Sequence, residues 1–152
     1  MELKNFIKSL SIIYLFLLGI LSIFTIWVIF QVNKFNTGTN EEDVFLYAVP
    51  IFAMLGYFGS IWFLKKTTSK IQIDIRLNEK LKKYRYALLL KYVFINVPAF
   101  IGLFAYYKTT NALPLVITVC LITYLVVQRP NKENIINSVP LTIEQLTKIQ
   151  QV

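Results

Sequence analysis

The sequence offers few side chains whose type and spacing suit catalysis or metal binding. It contains no His and a single Cys, Cys120. Without an imidazole, histidine-dependent acid–base and triad chemistry is excluded. One thiol can form neither an intramolecular disulfide nor a Cys/His metal cluster. We therefore predict a protein with no catalytic residue, no metal site and no cofactor.

The polar residues that remain as functional candidates lie inside long apolar stretches. Lys91, Asn96 and Pro98 fall in the third such stretch, and Pro50 falls in the second. Each proline removes the helix hydrogen bond to the carbonyl four residues before it. We predict that Lys91, Asn96, Pro98 and Pro50 together form a candidate polar or hinge site. The alternative for Asn96 and Pro98 is a structural kink held by polar contacts. The alternative for Lys91 is a side chain that reaches to the membrane interface.

A basic segment separates the second and third apolar stretches. It covers residues 65–85, and we expect it to lie on lipid headgroups in an amphipathic or extended conformation, because an isolated strand has nothing to pair with. Leu77, Leu81 and Tyr84 have helical spacing, which is compatible with an extension of the third helix into this segment. Each basic residue near an anionic leaflet contributes about 1 kcal/mol to membrane binding. The alternative is that these charges only orient the chain. The candidate contacts to anionic lipid are Lys65, Lys66, Lys70, Arg76, Lys80, Lys82, Lys83 and Arg85.

The elements that position these residues follow from composition and hydropathy. Of 152 residues, 56% are apolar and 16% are charged, against about 25% charged in an ordinary soluble domain, and the mean hydropathy is +0.57. These values exclude disordered, fibrous and almost all soluble folds. A spanning helix needs roughly 20 apolar residues. We predict an all-α integral membrane protein, a single domain over 1–152, with four transmembrane helices in an up-and-down bundle at 10–31, 45–64, 86–107 and 112–128.

The distribution of charge predicts the orientation of these helices. Thirteen Lys and Arg lie in the N-terminal segment, in the basic segment 65–85 and in the tail 129–152, whereas the two other connections carry only Lys34 and Lys108. The first of those connections also holds Glu41, Glu42 and Asp43. Because positive charge stays on the cytoplasmic side, we predict a multi-pass protein of the bacterial inner membrane with both termini cytoplasmic. The net charge of +8 then indicates a bilayer with anionic headgroups as the partner, and no nucleic acid.

Small residues and helix caps complete the prediction. Gly56, Gly59 and Ser60 are candidate helix-packing positions, since small residues let helix backbones approach closely. We expect these positions to pack against other helices of the same chain rather than to form a dimer interface. Thr142 and Gln145 have the spacing of a capping box, which predicts a short helix over 143–149. The first apolar stretch is longer than the 7–15 residues of a signal-peptide core, so we expect it to be retained as an anchor.

Three short motifs resemble a known group of proteins. They are the segments 81–89 (LKKYRYALL), 98–100 (PAF) and 128–133 (QRPNKE). They resemble an uncharacterised family of small four-helix membrane proteins of Bacteroidota-type bacteria, over roughly residues 81–145. The resemblance implies a four-helix membrane fold. Members carry a Glu two residues before the Pro-Ala pair, where this chain has Asn96, so no charged site is carried over.

Three functions compete at this point. The first is a non-enzymatic accessory or scaffold subunit of a membrane complex, which the absence of a catalytic constellation favours. The second is a small oligomeric transporter or channel that uses Pro50, Pro98 and Asn96, although it lacks a binding charge with a partner inside the membrane. The third is a lipid-modifying enzyme, for which no spacing joins a nucleophile to a base. A membrane-protein partner or a homo-oligomer is compatible with the first two.

Overall fold

Six α-helices form the chain in the computed structural model, which describes residues 3–38 and 43–151, and no β-strand forms within those residues. Glu41 and Glu42 of the predicted outer connection lie outside the described residues. Three helices are long and apolar enough to cross a membrane, and a fourth qualifies only if α4 and α5, bent by 88°, are taken together. The helices are α1 (Leu3–Val32), α2 (Val44–Ser69), α3 (Leu77–Thr109), α4 (Ala112–Val127), α5 (Lys132–Ser138) and α6 (Ile143–Gln150).

The four long helices lie where the apolar stretches predict them, but three of them are longer at their charged ends. The expected basic loop over 65–85 shrinks to residues 70–76, because α2 continues to Ser69 and α3 begins at Leu77. Charge ends an apolar stretch without ending a helix, since Lys, Arg, Glu and Leu are all good helix formers. Most of this segment is therefore helical rather than extended, and the extension of the third helix to Leu77 is confirmed.

The arrangement of the long helices differs from a simple up-and-down bundle. In such a bundle, helices that follow one another along the chain pack as neighbours. Here α3 is central and packs against α1, α2 and α4, whereas α1 and α2 form no comparable interface with each other. Within the most apolar 18 residues of each helix, 56% of the residues are buried in α3, against 22% in α1 and 17% in α2. α1 and α2 thus leave most of their apolar surface available to lipid or a partner.

A tight turn between α3 and α4 fixes the end of the molecule opposite the basic segment. Thr110 has a positive φ of 57° and ends α3, and the Asn111 side chain accepts a hydrogen bond from the Leu113 amide at 3.0 Å, which caps α4. Asn36, just after α1, pairs with this turn: its amide donates to the Thr110 carbonyl at 3.0 Å, and its carbonyl accepts from the Ala112 amide at 3.1 Å. The turn therefore holds the end of α1 beside α3 and α4.

The opposite end, which we call the basic end, is a packed structure formed by α5, α6, the connection 70–76 and the first turns of α1 and α3. The predicted tail helix is confirmed as α6, with the capping box of Thr142 and Gln145 in place. Apolar side chains from all these segments are buried in the hydrophobic core, and they are Phe6, Leu10, Ile71, Leu81, Tyr84, Ile135, Val139 and Ile149. The connection and the tail thus pack on the rest of the protein through these side chains.

Candidate functional site

Lys80 is a structural residue at the centre of the basic end. Its side chain is completely buried. The ammonium donates hydrogen bonds to the carbonyls of Ile73 at 2.8 Å and Pro140 at 2.7 Å, and to Oε1 of Gln145 at 2.8 Å. A lysine ammonium has three donors, so all of them are used inside the chain. The expectation that Lys80 contacts anionic lipid is therefore wrong: it joins the connection 70–76 to the tail.

The other seven basic candidates stay at the surface. Arg85 is half-buried, and the remaining six are exposed. Three of them, Lys66, Lys70 and Lys83, line one cavity of about 520 Å³ together with Phe63 and Thr67. The structure therefore separates the basic residues into one buried lysine, three that share a cavity, and four that are spread elsewhere on the surface: Lys65, Arg76, Lys82 and Arg85.

Lys91 lies at the C-terminal end of α4. It is only 6% exposed, and its ammonium donates to Oε1 of Gln128, the residue that ends α4. A cation at a helix C-terminus interacts favourably with the helix dipole. Two tyrosines bind the same helix end: the Tyr92 hydroxyl donates to the Gln128 carbonyl at 3.1 Å, and the Tyr14 hydroxyl donates to the Leu125 carbonyl at 2.9 Å. Sequence reasoning missed these tyrosines, whose partners are backbone carbonyls.

Removing the Tyr14 hydroxyl is expected to weaken the contact between α1 and α4. The change Tyr14→Phe keeps the ring and deletes the donor to Leu125, so the free energy of unfolding should fall by about 1 kcal/mol. Thermal unfolding of the detergent-solubilised protein measures this change. Tyr47→Phe is the matched control, because Tyr47 is 58% exposed. Equal melting temperatures for the two variants would contradict a stabilising role for the Tyr14 hydroxyl.

Asn96 and Pro98 lie in an uninterrupted helix. α3 runs through Pro98, and α2 runs through Pro50. The Asn96 amide nitrogen donates to the Tyr92 carbonyl one turn earlier at 2.9 Å, whereas its buried Oδ1 has no hydrogen-bond partner among the described residues. Neither proline breaks its helix, so the geometry expected of two interrupted helices around a cavity is not present in the described part of α2 and α3.

Gly56 lies against the carbonyl that Pro98 leaves without its usual donor. Pro98 cannot donate to the Phe94 carbonyl, and α2 passes directly over that carbonyl at Gly56. A Cβ added to Gly56 would lie 2.5 Å from the Phe94 oxygen and 2.6 Å from Cγ of Pro98. Gly56 and Ser60 are buried, and the Ser60 hydroxyl donates to the Tyr57 carbonyl at 2.7 Å. Gly56 therefore lies at a close approach of α2 and α3 within one chain, whereas the Ser60 hydroxyl bonds within α2.

Comparison with known proteins identifies no relative of this chain. No protein-family model, no curated protein and no solved structure matches this chain. Within residues 3–38 and 43–151, no group of three or more His, Cys, Asp or Glu side chains is placed to hold a metal ion. Among the residues that the structure describes, the polar network at the end of α4 and the basic cavity beside Phe63 are two candidate sites.

Proposed function

We propose that the chain is a non-enzymatic protein of the bacterial inner membrane, with four spans and both termini in the cytoplasm, which acts as an accessory or scaffold subunit of a membrane complex. In this orientation the basic end faces the cytoplasm, as the positive-inside rule requires. α4 has 16 residues, or about 24 Å at 1.5 Å per residue, and α5 turns away from it by 88°. A short fourth span followed by a helix at the membrane surface fits these dimensions.

The observation that carries the proposal is how the buried polar side chains of the long helices are used. Tyr14, Lys91 and Tyr92 bind the end of α4. Thr118 is fully buried and donates towards the carbonyls of Ala99 at 3.2 Å and Pro114 at 3.0 Å. These groups hold helix to helix instead of converging on a cavity, which supports a structural role over catalysis or transport.

Two surfaces are available to a partner in this proposal. α1 and α2 are apolar helices, and less than a quarter of the residues in the most apolar stretch of each are buried. At the basic end, α6 presents Ile143 with 86% of its surface exposed, while Ile149 on its other face is buried. The Lys80 contacts fix α6 in place. A membrane subunit that covers α1 or α2 and also reaches the outer face of α6 would bury both surfaces.

Affinity purification from native membranes in mild detergent tests the proposal. After light crosslinking, we expect one membrane protein to co-purify in a fixed stoichiometry, as identified by mass spectrometry and by the mass of the intact complex. An untagged strain processed in parallel is the control. A chain that always runs alone and captures nothing after crosslinking would contradict the accessory role.

One observation favours the alternative of a small oligomeric transporter or channel. The Oδ1 atom of Asn96 is buried in the middle of α3 and has no partner among the described residues. Such a group in a membrane helix can bind a polar solute. This alternative predicts a homo-oligomer on purification and a solute flux in liposomes that the change Asn96→Leu abolishes. Flux unchanged by that substitution would count against it.

A further inference from the structure

Two cavities, one basic and one apolar, lie along the line where α2 faces α3, and we call the strip that contains both of them the groove. On α2, residues three or four apart lie on one face of the helix. One such face changes from cationic to apolar along its length, in the order Lys70, Lys66, Phe63, Gly59, Gly56 and Phe52. Because α3 runs antiparallel beside this face, Lys83 lies at the cationic end and Phe94 and Val97 lie at the apolar end.

The cationic end has the chemistry of a phosphate site at a membrane surface. The cavity of about 520 Å³ is lined by three lysines, one threonine and one aromatic ring. Lys66, Lys70 and Lys83 are exposed. The Lys66 ammonium lies 4.3 Å from the centre of the Trp62 ring, and this cation–π contact holds it beside the cavity.

The apolar end continues the same groove towards the middle of the molecule. A second cavity, of about 250 Å³, lies between Phe52 and Gly56 on α2 and Phe94 and Val97 on α3. The rings of Phe63, at the basic cavity, and Phe94, at the apolar one, are 5.8 Å apart. These two rings therefore lie between the cationic and apolar cavities and make the surface between them apolar.

The length of the groove matches one leaflet of a bilayer. Lys66 and Gly56 are ten residues apart on one helix, or about 15 Å at 1.5 Å per residue. Half of a hydrocarbon core of about 30 Å is the same length. A free phosphate ion or an acidic peptide would use the lysines and leave the apolar end empty, whereas a phospholipid would fill both ends.

We propose that this groove binds one anionic phospholipid of the cytoplasmic leaflet, with its phosphate among Lys66, Lys70 and Lys83 and an acyl chain along α2 towards Gly56. The inference shares the predicted orientation of the chain with the proposed function. It does not depend on an accessory role, because a transporter or a monomer can carry the same lipid site.

Quenching of tryptophan fluorescence by brominated lipids tests the proposal on the full chain. The protein has two tryptophans, Trp27 and Trp62, so Trp27→Phe leaves Trp62 as the only reporter, at the cationic end of the groove. The variant is reconstituted in phosphatidylcholine vesicles that contain dibrominated phosphatidylcholine or dibrominated phosphatidylglycerol. We expect phosphatidylglycerol to bind near Trp62 about tenfold more tightly, since basic residues attract anionic headgroups.

Two double variants in the Trp27→Phe background separate this site from general attraction of charge. Lys66→Gln with Lys83→Gln should reduce the preference to about one, whereas Lys65→Gln with Lys82→Gln removes the same charge from exposed positions that do not line the cavity and should retain most of it. The preference is a ratio within one variant, so changes in Trp62 brightness cancel. Equal circular dichroism spectra of the two double variants establish that both are folded.

Several outcomes would overturn the proposal. Equal quenching by the two brominated lipids in the Trp27→Phe protein would show that no anionic lipid is selected. Equal losses in both double variants would assign the preference to the overall charge. Inorganic phosphate, added at constant ionic strength, should leave the quenching unchanged, and displacement of the lipid by it would assign the cavity to a free anion. A preference of the same size at Trp27 in a Trp62→Phe variant would likewise contradict a site at the basic end.

Discussion

Replacing Lys80 by methionine is expected to release the C-terminal tail from the basic end. The change leaves the Ile73 and Pro140 carbonyls and the Gln145 side chain without their shared donor. Hydrogen bonds to a charged group are worth about 1.5–3 kcal/mol each, and part of their sum is offset because a buried ammonium no longer has to be desolvated. We expect a net loss of about 3 kcal/mol, which raises the open population of the tail about a hundredfold.

Hydrogen exchange of the α6 backbone amides measures this opening directly. In the parent protein these amides should be protected, and in the Lys80→Met protein they should exchange about a hundredfold faster, while the middle of α3 stays protected. Lys82→Met is the matched control, because Lys82 is on the same helix and exposed. If α6 exchanged at the same rate in the Lys80→Met and Lys82→Met proteins, the joining role of Lys80 would be wrong.

Adding one methyl group at Gly56 is expected to force α2 and α3 apart. In Gly56→Ala, the new Cβ would meet the Phe94 carbonyl oxygen at 2.5 Å and the Pro98 ring at 2.6 Å. Both are rigid parts of α3, so the helices must separate or tilt. Overpacking of this kind costs about 1–3 kcal/mol. We expect Gly56→Ala to lower the free energy of unfolding in mixed detergent micelles by about 2 kcal/mol.

Gly59 provides a matched control for this prediction. A Cβ at Gly59 would lie 3.5 Å from the nearest atom of the Phe94 ring, an ordinary contact. Gly59→Ala should therefore leave the protein equally stable, or more stable by up to about 1 kcal/mol because alanine is the better helix former. A similar loss of stability in both variants would show that the cost comes from glycine replacement in general and not from the approach of α2 to Phe94 and Pro98.

The positions of the long helices could be predicted from the sequence, whereas their ends and neighbours could not. Apolar stretches report where a chain can cross a bilayer, and α4 lies within one residue of its predicted ends. The start of α3 at Leu77 lies among charged residues, where the helical spacing of Leu77, Leu81 and Tyr84 indicates a helix but mean hydropathy does not. The central place of α3 is set by close approaches at Gly56 and Gly102, and hydropathy does not say which helix such a glycine faces.

The roles of single residues were less predictable, for a specific reason. Lys80 looks like the seven basic residues around it, and only the folded chain brings it to the Pro140 carbonyl and Gln145, 60 and 65 residues away. Two of its three acceptors are backbone carbonyls, which every residue has. The same holds for Tyr14, whose acceptors are the carbonyls of Leu125 and Val126. By contrast, the capping box of α6 depends on two residues that are three apart in the chain, so this local pattern could be predicted from the sequence.

The orientation of the chain is the premise of both the proposed partner surface and the lipid groove, and cysteine labelling in intact cells tests it most directly. Cys120, the only cysteine, is first replaced by alanine, and single cysteines are then placed at the exposed positions Lys82, Lys108 and Lys148. With a membrane-impermeant maleimide, we expect Lys108→Cys to react in intact cells, and Lys82→Cys and Lys148→Cys to react only after the membrane is opened. Reaction of Lys82→Cys in intact cells would contradict the cytoplasmic placement of the basic end.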